Sequence, residues 1–258
     1  MYQQDHLTGP ARALLTFMPM QYMLDAAAEN PKAALVYADD DKMPRCCAVL
    51  MGNNLFVGGH MDGRFFAELK KELFLPERRK ALGVVVVFCE TETIADLFRG
   101  GFERVCDNRR SLYHCIPKKT EGHFPRAVPI DRQLLASGVK NFSMITQEVL
   151  STGIYENMED FLCRGMGFAF VPGDSVRGFC IGEYPGGSAI AIAIEVDSLY
   201  RRQGIASELA GAFLRQASKR GLQVYWECWE KNEASVRTAL SLGFSKAGDM
   251  PVLFIPLK

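Results

Sequence analysis

The chain has 258 residues, and its 30 basic and 30 acidic side chains give a formal net charge of zero. Hydrophobic residues make up 48%, which predicts a full core and argues against disorder. Zero net charge argues against a nucleic-acid binder that relies on phosphate neutralisation. No apolar run reaches the length of a membrane span, so no membrane partner is expected. The length suits one large domain or two ordinary ones.

The eight cysteines lie mostly in apolar runs and form no CxxC motif, which is typical of reduced thiols in an intracellular protein. The four histidines show no ligand spacing, so no metal is predicted. The apolar stretch 13–24 contains Pro19 and lacks a basic leader and a cleavage site, which favours a domain helix over a signal peptide. We therefore expect a cytoplasmic protein.

The first half alternates short strands and helices. Gly52-Asn53-Asn54 between two apolar runs predicts a β-hairpin, and Asp62 is placed to cap the next helix. The uninterrupted apolar run 83–88 is typical of a strand covered on both faces. The predicted elements are helices within 10–30, strands at 33–37, 46–51 and 55–57, a helix at 62–73, a strand at 83–88, a helix at 93–99, and strands near 105 and at 111–116.

Residues 117–129 carry four prolines or glycines at a shift in composition, which predicts a linker between lobes at 1–120 and 121–258. The second half again alternates helices and strands. Its predicted helices are at 131–136, 144–151, 156–163, 205–220 and 232–242, and its predicted strands are at 168–171, 176–184, 189–196, 224–228 and 252–255.

The two halves repeat one ββαβαβ order of elements. Equivalent positions are about 140 residues apart, from 139 for Pro117 and Pro256 to 142 for Gly101 and Gly243. Coincidence among common α/β elements is the alternative. In the first half, Asp62 and Phe65 occupy the positions where a phosphate would approach, so we predict a degenerate lobe that serves packing, dimerisation or the shape of the substrate cleft.

One strand–turn–helix segment carries the strongest functional signal. The strand ends at Val196, the turn reads Arg201-Arg202-Gln203-Gly204, and apolar residues then recur at helical spacing. The first N–H groups of a helix have no partner within it and lie at the positive end of the helix dipole. Two arginines and a glycine that permits close approach complete a predicted site for phosphate oxygens.

The motif Arg201-x-x-Gly204-x-Ala206 resembles the Gln/Arg-x-x-Gly-x-Gly/Ala signature of the GNAT superfamily of N-acetyltransferases. Downstream, the segment 232–235 and the exit Leu242-Gly243-Phe244 are similar to the superfamily's next helix. Trp226-Glu227-Cys228 resembles the Trp-Asp/Glu-Cys motif that a two-lobed branch of acetyltransferases carries on the preceding strand. The resemblance covers residues 130–258 by motif and the first lobe by architecture alone.

The resemblance implies an α/β (α+β) fold of tandem GNAT-like lobes, each a mixed, mostly antiparallel sheet flanked by helices, with acetyl-CoA as co-substrate. Glu195 and Val196 would pair with the pantetheine arm, and the Val196 N–H would polarise the thioester carbonyl. Asn232 would contact the pantetheine or the leaving thiolate, or it could merely cap its helix. The implied cofactor-binding residues are Glu195, Val196, Arg201, Arg202, Gln203, Gly204, Ile205, Ala206, Ser207, Asn232 and Ser235.

An acceptor amine must lose a proton, because a free ammonium has a pKa of about 10. A base, often a glutamate acting through water, removes that proton. Glu195 and Glu227 are equally ranked candidates ahead of Glu183, and strand alternation directs Glu195 away from the face of Ile194 and Val196. The predicted catalytic residues are Glu195, Glu227 and Val196, although a surface carboxylate is the commoner explanation of any single glutamate.

The sequence departs from the family at Ala239, where many members carry a tyrosine that protonates the CoA thiolate. Tyr225, Tyr200, Cys228 or water are the alternatives. The predicted function is an acetyl-CoA-dependent N-acetyltransferase acting by direct attack of a small-molecule or peptide amine; whether it forms a homodimer stays open.

Two other functions remain open. One is a non-catalytic acyl-CoA-binding regulatory or scaffold protein, which Ala239 favours. The other is an enzyme with another acyl donor or an O-acceptor. A nucleotide-binding protein is disfavoured, because neither GxxxxGK(S/T) nor a strand-linked GxGxxG occurs.

Overall fold

The structure is a computed structural model and describes residues 1–118 and 122–257. The chain forms two compact units. The first comprises residues 1–110 and the C-terminal segment from Asp249 onward, and the second comprises residues 111–248.

In the first unit the strands follow chain order from β1 to β5, and the C-terminal strand β12 then pairs with β5 in antiparallel orientation. The pairs β1–β2, β2–β3 and β3–β4 are antiparallel, whereas β4 and β5 are parallel. The elements are β1 (Tyr2–Gln4), α1 (Gly9–Ala13), α2 (Gln21–Glu29), β2 (Leu35–Ala38), β3 (Cys46–Met51), β4 (Asn54–Gly59), α3 (Gly63–Leu73), α4 (Pro76–Leu82), β5 (Val84–Cys89), α5 (Glu92–Gly101) and β12 (Ser245–Pro256).

In the second unit the strand order is β6-β11-β10-β9-β8-β7, and only the β10–β11 pair among β7 to β11 is parallel. The elements are β6 (Cys106–Cys115), β7 (Val128–Pro129), α6 (Arg132–Ala136), α7 (Ser143–Ser151), α8 (Met158–Arg164), β8 (Gly167–Phe170), β9 (Gly178–Gly186), β10 (Ala189–Val196), α9 (Ile205–Arg220), β11 (Gln223–Trp229) and α10 (Glu233–Ser241). Helix α9 packs one apolar face on β8 to β11.

The predicted fold class is confirmed: both units are mixed, mostly antiparallel sheets flanked by helices. The sequence analysis missed β1, β7 and α4, and it split β6 into two strands. Strand β6 alternates exposed and half-buried residues up to Arg110. This polar first half hides its continuity with the apolar second half, so a hydrophobic pattern alone shows two pieces.

The compact units differ from the predicted lobes, 1–120 and 121–258, at two places. Residues 111–118 group with the second unit, and the C-terminal segment from Asp249 onward groups with the first. The physical reason is strand pairing, since Leu253 to Pro256 pair with Val87 to Val84 of β5. The predicted linker, 117–129, includes residues 119–121, which lie outside the described residues. Its residues 122–127 lie in the second unit.

Both units contain the same core motif, two antiparallel strands, a helix and a parallel strand, as the repeat predicted. The motif is β3-β4-α3-β5 in the first unit and β9-β10-α9-β11 in the second. The helix starts differ. The Asp62 carboxylate accepts the Phe65 N–H at 2.7 Å at the start of α3, whereas α9 begins at Gly204 with no side-chain cap.

All eight cysteines are free thiols. Burial raises the pKa of Cys46, Cys47 and Cys89 to about 12, so these thiols stay protonated. Within residues 1–118 and 122–257, no cluster of three metal-ligating side chains is found. None of the helices in the described parts of the chain has the length and apolar content to cross a membrane.

Candidate active site

The second unit contains a cleft of about 800 Å³, within the size range of small-molecule sites. It lies between the end of β10, the starts of α9 and α10, and β11. The lining residues are Ile194, Glu195, Val196, Tyr200, Arg201, Arg202, Gly204, Ile205, Ala206, Ser207, Trp226, Asn232, Ala234, Ser235, Arg237 and Thr238. The structure therefore brings together ten of the eleven residues predicted to bind the cofactor; Gln203 is not among those that line the cleft.

The cleft exists because β10 and β11 diverge. These parallel strands pair from Ala189 and Gln223 to Ala191 and Tyr225. Strand β10 continues to Val196 along its pairing with β9, so its other edge opens towards the cleft. In the first unit, by contrast, β4 and β5 stay paired up to Val57 and Cys89, and the Glu90 N–H then donates to Val57. The strands β4 and β5 therefore leave no gap equivalent to the cleft between β10 and β11.

The open edge of β10 presents backbone N–H groups to the cleft. Successive residues of a strand direct their N–H groups to alternate edges. Asp197, directly after β10, donates its N–H towards β9, to the Arg177 oxygen at 2.8 Å. The N–H of Glu195 therefore also points towards β9, and those of Ile194 and Val196 point the other way, into the cleft. A chain that lies along this edge can pair with it as an added strand.

The start of α9 is an uncapped helix N-terminus. Gly204 has a left-handed backbone (φ +77°) and no side chain that could accept a hydrogen bond. The N–H groups of the first turn, at Ile205, Ala206 and Ser207, therefore receive no cap from the residue before the helix. Arg202 also adopts a positive φ of 60°, a strained conformation for a side chain with a Cβ. An uncapped start next to two arginines suits an anionic ligand.

Asn232 and Ser235 hold the opposite wall of the cleft. The Asn232 side chain caps α10 by accepting the Ser235 N–H at 3.2 Å. The Ser235 hydroxyl in turn accepts the Trp226 indole N–H at 2.9 Å. Trp226 is a core residue with 2% exposure and also lines the cleft. The capping role of Asn232 is therefore present in the structure, and its position at the cleft leaves its predicted contact with pantetheine as a prediction.

The two predicted bases differ in position. Glu195 lines the cleft and is exposed. Glu227 is not among the lining residues, and strand alternation directs it to the face opposite Trp226, away from α9. The structure therefore brings Glu195, but not Glu227, to the end of β10.

A third carboxylate, Glu148 on α7, was missed by the sequence analysis. Two causes raise the pKa of Glu148 above its ordinary value of 4.5. The larger is partial burial, and the smaller is repulsion from the Glu195 carboxylate. Helix α7 packs on β9 through a buried stripe that includes Ile145 and Val149. The pairing spans 47 residues of chain, so no local motif could have indicated it.

The position of the usual tyrosine holds a buried alanine. Ala239 is fully buried, and its backbone oxygen accepts the Phe244 N–H at 3.1 Å. Of the three alternatives, Tyr200 lines the cleft and packs edge-on against Phe170. Tyr225 stacks on His114, and Cys228 is buried in the α9 core.

Comparison with known proteins agrees with this architecture. A solved structure of a GCN5-related N-acetyltransferase-like protein from Streptococcus suis 89/1591 superposes with a TM-score of 0.69, at 18% identity, over 94% of this chain and 95% of that one. A tandem GNAT protein from the clavulanic acid biosynthesis pathway superposes with a TM-score of 0.51, at 10% identity, over 93% and 89% of the two chains. The fold is the GNAT fold in its two-unit form.

The family model described as GNAT acetyltransferase matches residues 23–253. Because this match spans most of the sequence, the chain belongs to the GNAT acetyltransferase family and is an acetyltransferase. A curated relative, the uncharacterized N-acetyltransferase YdfB of Bacillus subtilis (strain 168), is 21% identical over 225 residues, which are 85% of this chain and 84% of the relative. The resemblance drawn from the sequence motif is confirmed.

Proposed function

We propose that this protein is an acetyl-CoA-dependent N-acetyltransferase whose active site is the cleft of the second unit. The observation that carries the proposal is the divergence of β10 and β11 beside the uncapped start of α9. An acyl-CoA has an extended amide-bearing arm and a pyrophosphate. The open strand edge fits the arm, and the helix start fits the pyrophosphate.

The residues of the cleft have separate roles in this proposal. Glu195 removes a proton from the acceptor ammonium through water, so that the neutral amine attacks the thioester carbon. The Val196 N–H donates to the thioester oxygen and stabilises the negative charge that develops there. Tyr200 donates its hydroxyl proton to the CoA thiolate as the carbon–sulfur bond breaks. The nitrogen of the tetrahedral intermediate releases its second proton to solvent, and Tyr200 is reprotonated from solvent. The products are the acetylated amine and CoA thiol, with one proton released overall.

The acceptor is proposed to be a small-molecule or peptide amine in the cytoplasm. The alternative is a family member that holds acyl-CoA without turnover, and the buried methyl group at Ala239 favours it. Release of free thiol in the presence of a panel of primary amines separates the two functions, because a protein without turnover binds acetyl-CoA and releases none.

The test compares two glycines at the ends of one helix. Gly204 and Gly221 both have left-handed backbones, with φ of 77° and 68°, and among the described residues no atom would clash with a Cβ at either position. Gly204→Leu and Gly221→Leu therefore carry a similar conformational cost of about 1 to 2 kcal/mol. We expect calorimetry to show acetyl-CoA binding to the wild type and to Gly221→Leu, and none to Gly204→Leu. Equal affinity of the two variants would show that the phosphate site lies elsewhere.

A further inference from the structure

Arg126 lies against the start of α9, although it precedes this helix by about 80 residues. Its backbone N–H and its Nε donate to the two carboxylate oxygens of Glu208, each at 2.6 Å. Its Nη1 donates to the backbone oxygen of Gln203 at 3.3 Å. These three hydrogen bonds fix the guanidinium plane beside the turn that leads into the helix.

The remaining nitrogen of this guanidinium faces the turn 201–204, which we call the phosphate loop. Arg126 Nη2 lies 3.8 Å from the position that a Cβ on Gly204 would occupy. The Arg126 side chain is 43% exposed, so this edge remains accessible to a ligand. A guanidinium that is held on one edge and open on the other is suited to bind a phosphate oxygen with little loss of side-chain entropy.

The ion pair between Arg126 and Glu208 also neutralises a negative charge at the start of α9. Glu208 lies in the first turn of α9 and its side chain is only 12% exposed. A bare carboxylate at this place would repel a phosphate bound at the N–H groups of Ile205 and Ala206. Arg126 compensates this charge, so that the turn keeps the net positive charge of Arg201 and Arg202.

The segment that carries Arg126 is packed along α9. The Phe124 ring fills the space over Gly211 and leaves no room for a Cβ there. The Arg215 guanidinium lies 5.3 Å from the centre of this ring and Arg215 Nη1 donates to the Gly122 oxygen at 2.9 Å. Residues 122–126 are therefore attached to the helix by Arg215 at one end and by Glu208 at the other.

We infer that Arg126 is a coenzyme-binding residue that contacts a phosphate group of the acyl-CoA. This inference rests on the proposed function and extends the phosphate site to a segment outside the strand–turn–helix motif. The pyrophosphate and the phosphate on the ribose share the chemistry that a guanidinium recognises, and truncated donors distinguish them.

The test measures dissociation constants of Arg126→Gln and of the control Arg215→Gln. Both variants remove one guanidinium that attaches segment 122–126 to α9, but only Arg126 faces Gly204. We expect Arg126→Gln to raise the dissociation constant of acetyl-CoA about tenfold, as the loss of a charge-assisted contact implies, and Arg215→Gln to change it less than about twofold. Affinity for S-acetylpantetheine, which has neither phosphate group, should be the same in all three proteins.

3′-Dephospho-acetyl-CoA locates the contact: a persisting loss assigns it to the pyrophosphate, and a vanishing loss assigns it to the ribose phosphate. The double variant Arg126→Gln with Glu208→Gln removes the compensating role of Arg126, because no carboxylate is left to neutralise. A tenfold loss in the double variant supports a direct contact, whereas wild-type affinity would overturn it. An equal loss in Arg215→Gln, or a loss with S-acetylpantetheine, would also overturn it.

The two proposals fail in different ways. If the wild type binds acetyl-CoA and Arg126→Gln binds it equally well, only the role of Arg126 is overturned. If the wild type does not bind acetyl-CoA, the proposed function fails and the role of Arg126 fails with it.

Discussion

Arg201 donates a hydrogen bond from Nε to the backbone oxygen of Val196 at 3.0 Å. Val196 is the last residue of β10, and Arg201 opens the turn that ends at Gly204. The short segment between them is braced by Asp197, whose carboxylate accepts from the Leu199 N–H at 3.0 Å and from Arg177 Nη1 at 3.1 Å. The proposed oxyanion donor and the proposed phosphate loop are thus joined by a side chain as well as by the backbone.

Arg201→Gln should therefore impair both binding and turnover, because it removes a positive charge and releases the Val196 carbonyl. We expect the dissociation constant of acetyl-CoA to rise about tenfold and kcat to fall as well. Arg202→Gln is the matched control, since it removes a neighbouring exposed charge, and it should weaken binding with kcat unchanged. Steady-state kinetics and calorimetry give both quantities. An equal fall of kcat in the two variants would contradict the bracing role of Arg201.

Glu195→Gln should lower kcat by about 10²-fold, the lower end for loss of a general base, and should leave acetyl-CoA affinity unchanged. Glu227→Gln is the natural comparison, because Glu227 does not line the cleft, and it should stay within about threefold of the wild type. The reverse order of activities would exchange the two roles and refute the assignment made from the cleft geometry.

Tyr200→Phe should reduce kcat by about tenfold, less than a full acid–base effect, because a CoA thiolate leaves tolerably well without protonation near neutral pH. The edge-on packing against Phe170 needs only the ring, so the stability of the variant should match the wild type. Tyr225→Phe serves as the control on the neighbouring strand. If Tyr200→Phe turned over at the wild-type rate, water would be the better candidate for the proton donor.

Glu148 gives a prediction about stability against pH. Its pKa is raised in the folded protein, so between the unfolded and the folded pKa the native state binds the proton that the unfolded chain has lost. Stability therefore falls as pH rises through this window and stays lower above it. Glu148→Gln keeps a neutral side chain at every pH. It should raise the melting temperature above the window and leave it unchanged at acidic pH, where the wild-type carboxyl is protonated.

A double-mutant cycle tests the cause of this effect. Repulsion from Glu195 is one of the two causes of the raised pKa. The gain from Glu148→Gln should therefore shrink in a Glu195→Gln background, while the part due to burial persists. Melting temperatures of the four proteins at two pH values measure the coupling. Strictly additive gains would show that the two carboxylates do not interact.

The elements around the site could be predicted from the sequence because they are local. The apolar run of β10, the glycine before α9 and the helical spacing after it lie within about thirty residues, and the structure confirms each of them. The direction of the Val196 N–H follows from strand alternation once β9 is known to be the partner of β10. Local pattern and chain order were sufficient for this part of the site.

Contacts between distant segments could not be predicted in the same way. The pairing of β12 with β5, the ion pair of Arg126 with Glu208, and the interaction of Glu148 with Glu195 each join parts of the chain that share no motif. Strand propensity states that a segment is extended but does not name its neighbour. A lone arginine in a proline-containing segment likewise gives no indication of the carboxylate it will meet.

The Asp62 carboxylate occupies, at the start of α3, the place that a ligand phosphate would occupy at the start of α9 on the proposed function. Because Asp62 already accepts a hydrogen bond at the start of α3, an external anion would add little stability there. Gly204 provides no such cap, so a bound anion can stabilise the start of α9. On the proposed function, ligand binding stabilises the second unit by an amount that grows with coenzyme concentration. The Asp62 cap, by contrast, is part of the chain and stabilises the start of α3 at every coenzyme concentration. The two copies of this structural motif thus differ in what stabilises the start of their helix. The start of α3 is stabilised by the chain itself, whereas on the proposed function the stability at the start of α9 depends on the concentration of acyl-CoA.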